Sequence, residues 1–208
     1  MQEGSKVQAV YVASTAAALR TAYDDWANDY DQELFEIGYC SPSVAAAIFG
    51  RFITKRDGPF LDAGCGTGLQ VQALRLAGFS GFTGIDLSPE MLKIAESKNL
   101  YDTLLEATLG ETLPFANDQF EAVLSTGAIT QNHAPPESFD ELIRVTRPGG
   151  LILFTLRDDP TIDPRYQQVV DAHSEANRWN NLYTSDLFQS MPYGEPDVLH
   201  RFHVYQVA

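Results

Sequence analysis

Three glycines at alternate positions are the first residues of this chain whose spacing points to ligand binding. Gly64, Gly66 and Gly68 follow an apolar run and precede residues with the apolar spacing of a helix. Glycine permits positive φ angles and leaves room for a ligand against the backbone, because it has no Cβ. A strand, a glycine turn and a helix N-terminus in this order indicate a site for a nucleoside-bearing cofactor.

A carboxylate residue lies at the position in the sequence where the ribose of such a cofactor is usually bound. Asp86 ends the next predicted strand, about 20 residues after the glycine turn. A carboxylate at that position can accept hydrogen bonds from both hydroxyls of a ribose. The sequence therefore predicts that Asp86 is the ribose-binding residue.

These residues need a sheet to position them, and the chain alternates between strands and helices from residue 60 to 156. Such alternation predicts an α/β fold: a Rossmann-like, doubly wound sheet of seven strands, mainly parallel, with a terminal antiparallel strand. We expect one domain over residues 1–208, with a helical lid region at 1–50 and a Rossmann-like core at 58–208. The predicted strands span 60–63, 81–86, 104–109, 120–125, 151–156, 179–191 and 198–207, and the predicted helices span 41–52, 69–77, 88–99, 137–145 and 166–177.

An aromatic stripe precedes the sheet. Tyr23, Trp26 and Tyr30 recur at the spacing of one helix face. The stripe is either the packed face of a helix or a lid over the cofactor, which becomes ordered when the cofactor binds and presents Tyr30 to it. Residues 1–20 are expected to form a short helix or to be partly disordered.

Composition narrows the class of substrate. The chain has 208 residues and a net charge of −14, so it repels nucleic acid and anionic membranes. No apolar run reaches the roughly 18–20 residues that a membrane span needs, and no signal peptide is recognisable. Cys40 and Cys65 are expected to be reduced thiols in a cytoplasmic protein.

Four motifs in order resemble those of class I S-adenosylmethionine-dependent methyltransferases. A narrower set resembles the methyltransferase-like proteins named after the Williams–Beuren syndrome chromosome region. The resemblance implies methyl transfer from S-adenosylmethionine, with S-adenosylhomocysteine as product, and we expect a small-molecule acceptor. The four motifs are 61–68, 84–92, 113–115 with 120–121, and 144–150, and the narrower set is 23–26, 30–31, 98–101 and 108–110.

The resemblance also implies roles for individual residues. Asp62 would meet the ammonium of the cofactor's amino-acid tail, directly or through water. Met91 would contact adenine, although it is as readily a core residue. The adenine amino group would be bound by backbone groups or by Glu111. The expected cofactor-binding residues are Tyr30, Asp62, Ala63, Gly64, Cys65, Gly66, Gly68, Asp86, Leu87, Ser88, Met91, Thr108, Leu109, Gly110, Thr126, Gly127 and Ala128.

The candidate catalytic residue is His133, in the loop where the acceptor should arrive. It is either a general base or a loop histidine without a role. The Asn/Asp-Pro-Pro-Tyr signature of enzymes that methylate nucleobase and amide nitrogens is absent, since residues 125–129 read Ser-Thr-Gly-Ala-Ile. No metal is expected. Two alternatives stay open: a nicotinamide-dependent oxidoreductase, whose usual glycine spacing is missing, and a non-catalytic module that binds S-adenosylmethionine.

Overall fold

The computed structural model describes residues 6–13, 15–158 and 162–208, and a single mixed sheet forms its centre. Nearly continuous apolar runs supply the central strands, as buried parallel strands require. The described strands are β1 (Asp57–Ala63), β2 (Ser80–Asp86), β3 (Thr103–Glu106), β4 (Phe120–Ser125), β5 (Thr146–Arg157), β6 (Trp179–Thr184), β7 (Phe188–Gln189) and β8 (Leu199–Val207).

The strand order confirms the predicted Rossmann-like sheet. Seven strands follow the path β3-β2-β1-β4-β5-β8-β6. Strands β1 to β5 pair in parallel, and the C-terminal strand β8 runs antiparallel between β5 and β6. The two-residue strand β7, which was not predicted separately, adds an eighth strand against β8. Because β8 is antiparallel, its first residues lie beside the last residues of β5.

Helices cover both faces of the sheet. Along β4, Val123 packs into one apolar core, whereas Ala122 and Leu124 pack into the other, because alternate side chains of a strand point to opposite faces. The described helices are α1 (Lys6–Val12), α2 (Ala16–Glu36), α3 (Ser41–Phe52), α4 (Leu69–Leu76), α5 (Pro89–Ser97), α6 (Ser138–Val145) and α7 (Arg165–Glu175).

Some predicted boundaries are wrong for local reasons. Residues 147–150, expected to form a turn, belong to β5, which is long and has a register shift against β4. Strand β3 ends at Glu106, three residues before the end predicted at residue 109. Ser41 was expected to cap α3, but the cap is Cys40 and makes no side-chain capping bond. Ser88, by contrast, caps α5 as predicted, since its hydroxyl accepts from Met91 N at 3.1 Å.

The N-terminal helices form a third apolar cluster around Trp26 and Leu34. Hydrogen bonds attach α2 to the core: the Ser88 hydroxyl donates to Asp24, and the Thr67 hydroxyl donates to Asp31. Within residues 1–20, which were expected to form a short helix or to be partly disordered, the structure has α1 and the start of α2. Residues 1–5 and 14 lie outside the described residues. None of the described helices is long and apolar enough to cross a membrane.

Candidate active site

A cavity of about 660 Å³ opens at the carboxyl ends of the parallel strands. Its size lies within the roughly 300–1,000 Å³ of small-molecule sites, and its place is the one where open α/β sheets bind ligands. We call the part lined by residues after β1, β2 and β3 the glycine half, and the part lined by α1, the end of β5 and the chain entering β8 the far half. The loop after β4 lies between them.

The glycine turn is held by backbone hydrogen bonds. Gly64 N and Cys65 N both donate to Ile85 O at 2.9 Å, which fixes the turn against β2. All three glycines have positive φ. A Cβ on Gly64 would stand 2.5 Å from the Ala128 Cβ, whereas a Cβ on Gly66 would meet nothing within 4 Å. Gly64 therefore permits close packing, and Gly66 leaves open space beside the turn.

Asp86 is hydrogen-bonded to the turn that it was predicted to serve. Its Oδ2 accepts from Gly66 N at 2.8 Å, and its Oδ1 accepts from Ser88 N at 2.9 Å. Burial raises the pKa of the carboxyl, and these backbone N–H groups oppose the rise. Each oxygen keeps acceptor capacity toward the cavity that Asp86 lines, so two ribose hydroxyls can be accommodated.

Asp62, which was predicted to meet the cofactor's ammonium directly or through water, does not itself line the cavity. It is fully buried behind the turn, where it accepts from the Tyr101 hydroxyl at 2.7 Å and from the Gln70 amide. Burial raises its pKa to about 7. The Gln70 oxygen in turn accepts from Thr126, so Asp62 supports the cavity wall through Gln70. Sequence reasoning missed Gln70, which is only a polar residue beside the turn, and assigned no role to Tyr101, although Tyr101 belongs to the motif at 98–101.

The other predicted cofactor residues divide into three groups. Twelve line the cavity, whereas Cys65 reaches only a smaller adjoining pocket, and Ala63, Gly68 and Ser88 stand behind the wall with Asp62. The placement of Ser88 reflects its use as the cap of α5. The cavity-lining group is Tyr30, Gly64, Gly66, Asp86, Leu87, Met91, Thr108, Leu109, Gly110, Thr126, Gly127 and Ala128.

The aromatic stripe of α2 is packed against its neighbours and also faces the cavity, and its role as a lid stays a prediction. Trp26 is buried, and its indole N–H donates to Glu33 at 2.8 Å. Tyr30 packs edge-on against Trp26, with ring centroids 4.6 Å apart, and is half-buried. Tyr23, Trp26 and Tyr30 all line the cavity, so one face of the helix is both packed core and cavity wall.

His133 lies at the cavity wall between the two halves. Its Nδ1 is 3.2 Å from the carbonyl oxygen of Gln131, which assigns the proton to Nδ1 and leaves Nε2 as the basic nitrogen. Burial lowers the pKa of the ring, so the imidazole is neutral at pH 7. Its ring centroid lies 6.0 Å from that of Tyr11 and 5.9 Å from that of Tyr23. A neutral imidazole in this position can accept a proton from a bound acceptor.

The far half was not anticipated from the sequence. Tyr11 lines it and donates to Glu195 at 2.8 Å, which joins α1 to the segment before β8. Arg157 and His200 are cross-strand neighbours on β5 and β8 and both line the cavity. These residues lie far apart in sequence, and none belongs to a motif. Across the described ranges, no group of three or more His, Cys, Asp or Glu side chains is placed to hold a metal ion.

Known solved structures share this fold. A SAM-dependent methyltransferase of Thermotoga maritima superposes with a TM-score of 0.63 at 16% identity, over 89% of this chain and 98% of that chain. The [4+2]-cyclase SpnF superposes with a TM-score of 0.70 at 18% identity, over 94% of this chain and 97% of that chain. At these identities the likeness establishes the fold alone.

Sequence comparison establishes the family. The methyltransferase domain family matches residues 61–154. Human methyltransferase-like protein 27 is 35% identical over 185 residues, which are 86% of this chain and 75% of the human protein. The malonyl-[acyl-carrier protein] O-methyltransferase of Pectobacterium atrosepticum is 37% identical over 121 residues, 57% of this chain but only 47% of that protein. The chain therefore belongs to the class I S-adenosylmethionine-dependent methyltransferases.

Proposed function

We propose that this methyltransferase transfers the methyl group of S-adenosylmethionine to a small molecule, with the cofactor in the glycine half and the acceptor in the far half. The observation that carries the proposal is that a single cavity joins Gly66 and Asp86 to His133 and Arg157. Methyl transfer needs the donor and the nucleophile in one water-poor space with their reacting atoms in line.

Each residue of the glycine half has a physical task in this proposal. Asp86 accepts the ribose hydroxyls, and its own backbone hydrogen bonds keep the carboxylate oriented before any ligand arrives. Gly66 provides the space beside the turn. Leu87 and Met91 offer apolar surface to adenine, and Met91 is held in place by the Ser88 cap at the start of α5. The bound cofactor supplies an electrophilic methyl group on a sulfonium.

The loop after β4 is where donor and acceptor meet. Gly127 N donates to Thr155 Oγ1 at 2.8 Å, so this loop is tied to β5 beneath the meeting point. His133 Nε2 takes a proton from an acceptor that arrives protonated, because the ring is neutral at pH 7. Tyr23 and Tyr30 exclude water from above and present aromatic faces that favour a positive sulfonium.

The class of acceptor follows from the cavity and from charge. A cavity of about 660 Å³ that also holds the cofactor leaves room for a small molecule. The net charge of −14 opposes binding of nucleic acid and of anionic membranes. The names of the bacterial relatives support an oxygen acceptor, although the chain spans about half the length of the Pectobacterium protein.

Calorimetry and a turnover screen test the proposal. We expect S-adenosylmethionine and S-adenosylhomocysteine to bind with one site each, and NAD not to bind. A panel of small oxygen and nitrogen nucleophiles should then contain acceptors that release S-adenosylhomocysteine. Binding of NAD in place of S-adenosylmethionine would contradict the proposal, and cofactor binding without turnover across the panel would favour a non-catalytic binding module.

A further inference from the structure

The two halves of the cavity carry different ionisable side chains. Among the described residues, the acids that line the cavity, Asp86 and Glu111, belong to the glycine half. Among the described residues that line the cavity, Arg157 is the one Lys or Arg, and it belongs to the far half. In a chain with a net charge of −14, a bound anion is stabilised electrostatically most strongly beside a cation at the cavity wall.

Arg157 has a polar neighbour on the adjacent strand. His200 is its cross-strand partner, so both side chains project from the same face of the sheet. The His200 Nδ1 is 3.0 Å from the hydroxyl of Ser190, which is 1% exposed. Burial and the Arg157 charge lower the pKa of His200 to about 4. In the tautomer in which the Ser190 hydroxyl donates to Nδ1, the neutral ring carries its proton on Nε2 and can donate a hydrogen bond from there.

The distance from Arg157 to the loop after β4 is that of a small molecule. Thr155, which accepts from Gly127 N, and Arg157 are two residues apart on β5 and line the same cavity. Two residues of a strand span about 7 Å. A group bound by Arg157 therefore lies at one end of the acceptor, and the nucleophilic atom at the other end reaches Gly127.

We propose that the methyl acceptor carries a carboxylate, which Arg157 and His200 bind at the far end of the cavity as an anchor. The proposal rests on the proposed function and names the substrate class of that site. A guanidinium presents five N–H donors in a planar fork that matches the two oxygens of a carboxylate, and donors remain for the protein's own contacts. Tyr11, beside Arg157 in the far half, closes this end of the cavity through its bond to Glu195.

The anchor takes no part in bond making. The nucleophilic atom of the acceptor forms a bond to the methyl carbon, the bond from that carbon to sulfur breaks, and its electron pair stays on sulfur as the thioether of S-adenosylhomocysteine. A proton displaced from the nucleophile goes to His133 Nε2 or to water. The carboxylate remains charged throughout, so the product keeps it.

Matched probes on the complex with S-adenosylhomocysteine test the anchor. The probes are 3-phenylpropanoate and 4-hydroxyphenylacetate, each compared with its primary amide by calorimetry. We expect the carboxylates to bind about tenfold more tightly than the amides, as charge-assisted hydrogen bonds do. Arg157→Gln should abolish this preference and Arg157→Lys should keep part of it. Arg147→Gln, at the other end of β5 and paired with Glu121, is the matched control and should retain it in full.

The possible outcomes distinguish failure of the carboxylate anchor from failure of the proposed methyltransferase function, on which the anchor rests. Equal binding of carboxylates and amides by the unaltered complex, or binding of neither, overturns the anchor. Weaker binding of S-adenosylhomocysteine by Arg157→Gln also overturns it, because Arg157 would then hold the cofactor's own carboxylate. If Arg157→Gln does not fold, His200→Phe replaces it and should lower the preference severalfold; an unchanged preference in that variant contradicts the proposal. Failure of the unaltered protein to bind S-adenosylhomocysteine contradicts the proposed function itself.

Discussion

The glycine half and the far half of the cavity are built in different ways. The glycine half comes from three short segments, 61–68, 84–92 and 107–111. The first two are joined by hydrogen bonds, since Gly64 N donates to the carbonyl oxygen of Ile85 and Gly66 N donates to the Asp86 carboxylate. The far half is assembled from α1, the end of β5, and the segments before and at the start of β8. The glycine half therefore depends on residues close in sequence, whereas the far half depends on packing between distant parts of the chain.

The two halves also differ in polarity. Among the described residues, acids face the glycine half, where we propose that the ribose hydroxyls and the sulfonium bind, and a guanidinium faces the far half. We expect that variants in one half leave the other half's ligand unaffected.

Replacement of Gly66 by Val should abolish binding of S-adenosylmethionine. The new side chain would fill the open space beside the turn and would strain a backbone with φ of +52°. Calorimetry measures the loss. Gly78→Val is the matched control, because Gly78 also has positive φ and open space around its missing Cβ but lies outside the cavity. Retained binding in a folded Gly66→Val protein would mean that the ligand lies elsewhere.

His133→Gln should lower turnover by about 100-fold on whichever acceptor the screen identifies, the lower end of general-base effects. Affinity for S-adenosylhomocysteine should not change. Because burial lowers the His133 pKa below 6.5, the unaltered enzyme should keep its activity at pH 7 and lose it as the pH falls through that lowered pKa. The acidic limb of the pH–rate profile should be missing in the variant. Unchanged turnover would make His133 a loop histidine without a catalytic role.

Asp86→Ala should weaken binding of S-adenosylhomocysteine by about 1–3 kcal/mol, the usual cost of losing charged hydrogen bonds. The ribose loses its acceptor, and Gly66 N and Ser88 N lose theirs. Asp171→Ala, an exposed acid on α7 that lies outside the cavity, controls for the change of net charge. The assignment of Asp86 fails if a folded variant binds with full affinity.

The smallest expected effect is on α2. We predict that residues 20–35 gain protection from hydrogen exchange when the cofactor binds, since Tyr23 and Tyr30 line its cavity. The gain should be modest, because Thr67 already bonds to Asp31 and Ser88 to Asp24. Equal protection with and without cofactor would make the aromatic stripe part of the core and no lid.

The features that could be predicted from the sequence are those that local interactions determine. Apolar runs and glycines predicted the order of strands and helices, and the proline after Ser88 marked the start of α5. The spacing between Gly66 and Asp86 anticipated a pair that is hydrogen-bonded in the structure. These features depend on residues that are close in sequence or on the regular crossover between neighbouring parallel strands.

The pairings that depend on packing between distant parts of the chain could not be predicted from the sequence. The hydrogen bonds that Asp62 accepts behind the turn, from Tyr101, which is 39 residues away, and from Gln70, were not predicted. Arg157 and His200 become neighbours only through the antiparallel register of β5 and β8. Tyr11 reaches the far half through a bond to Glu195 that spans 184 positions of the chain. No periodicity or motif in a single sequence encodes such pairings.

A crystal structure of the complex with S-adenosylhomocysteine tests the division of the cavity most directly. The account predicts the ribose on Asp86, adenine between Leu87 and Met91, and the sulfur beside Gly127, with the space before Arg157 and His200 left open. A cofactor whose amino-acid tail occupies the far half and contacts Arg157, or one bound away from Gly66 and Asp86, would contradict it.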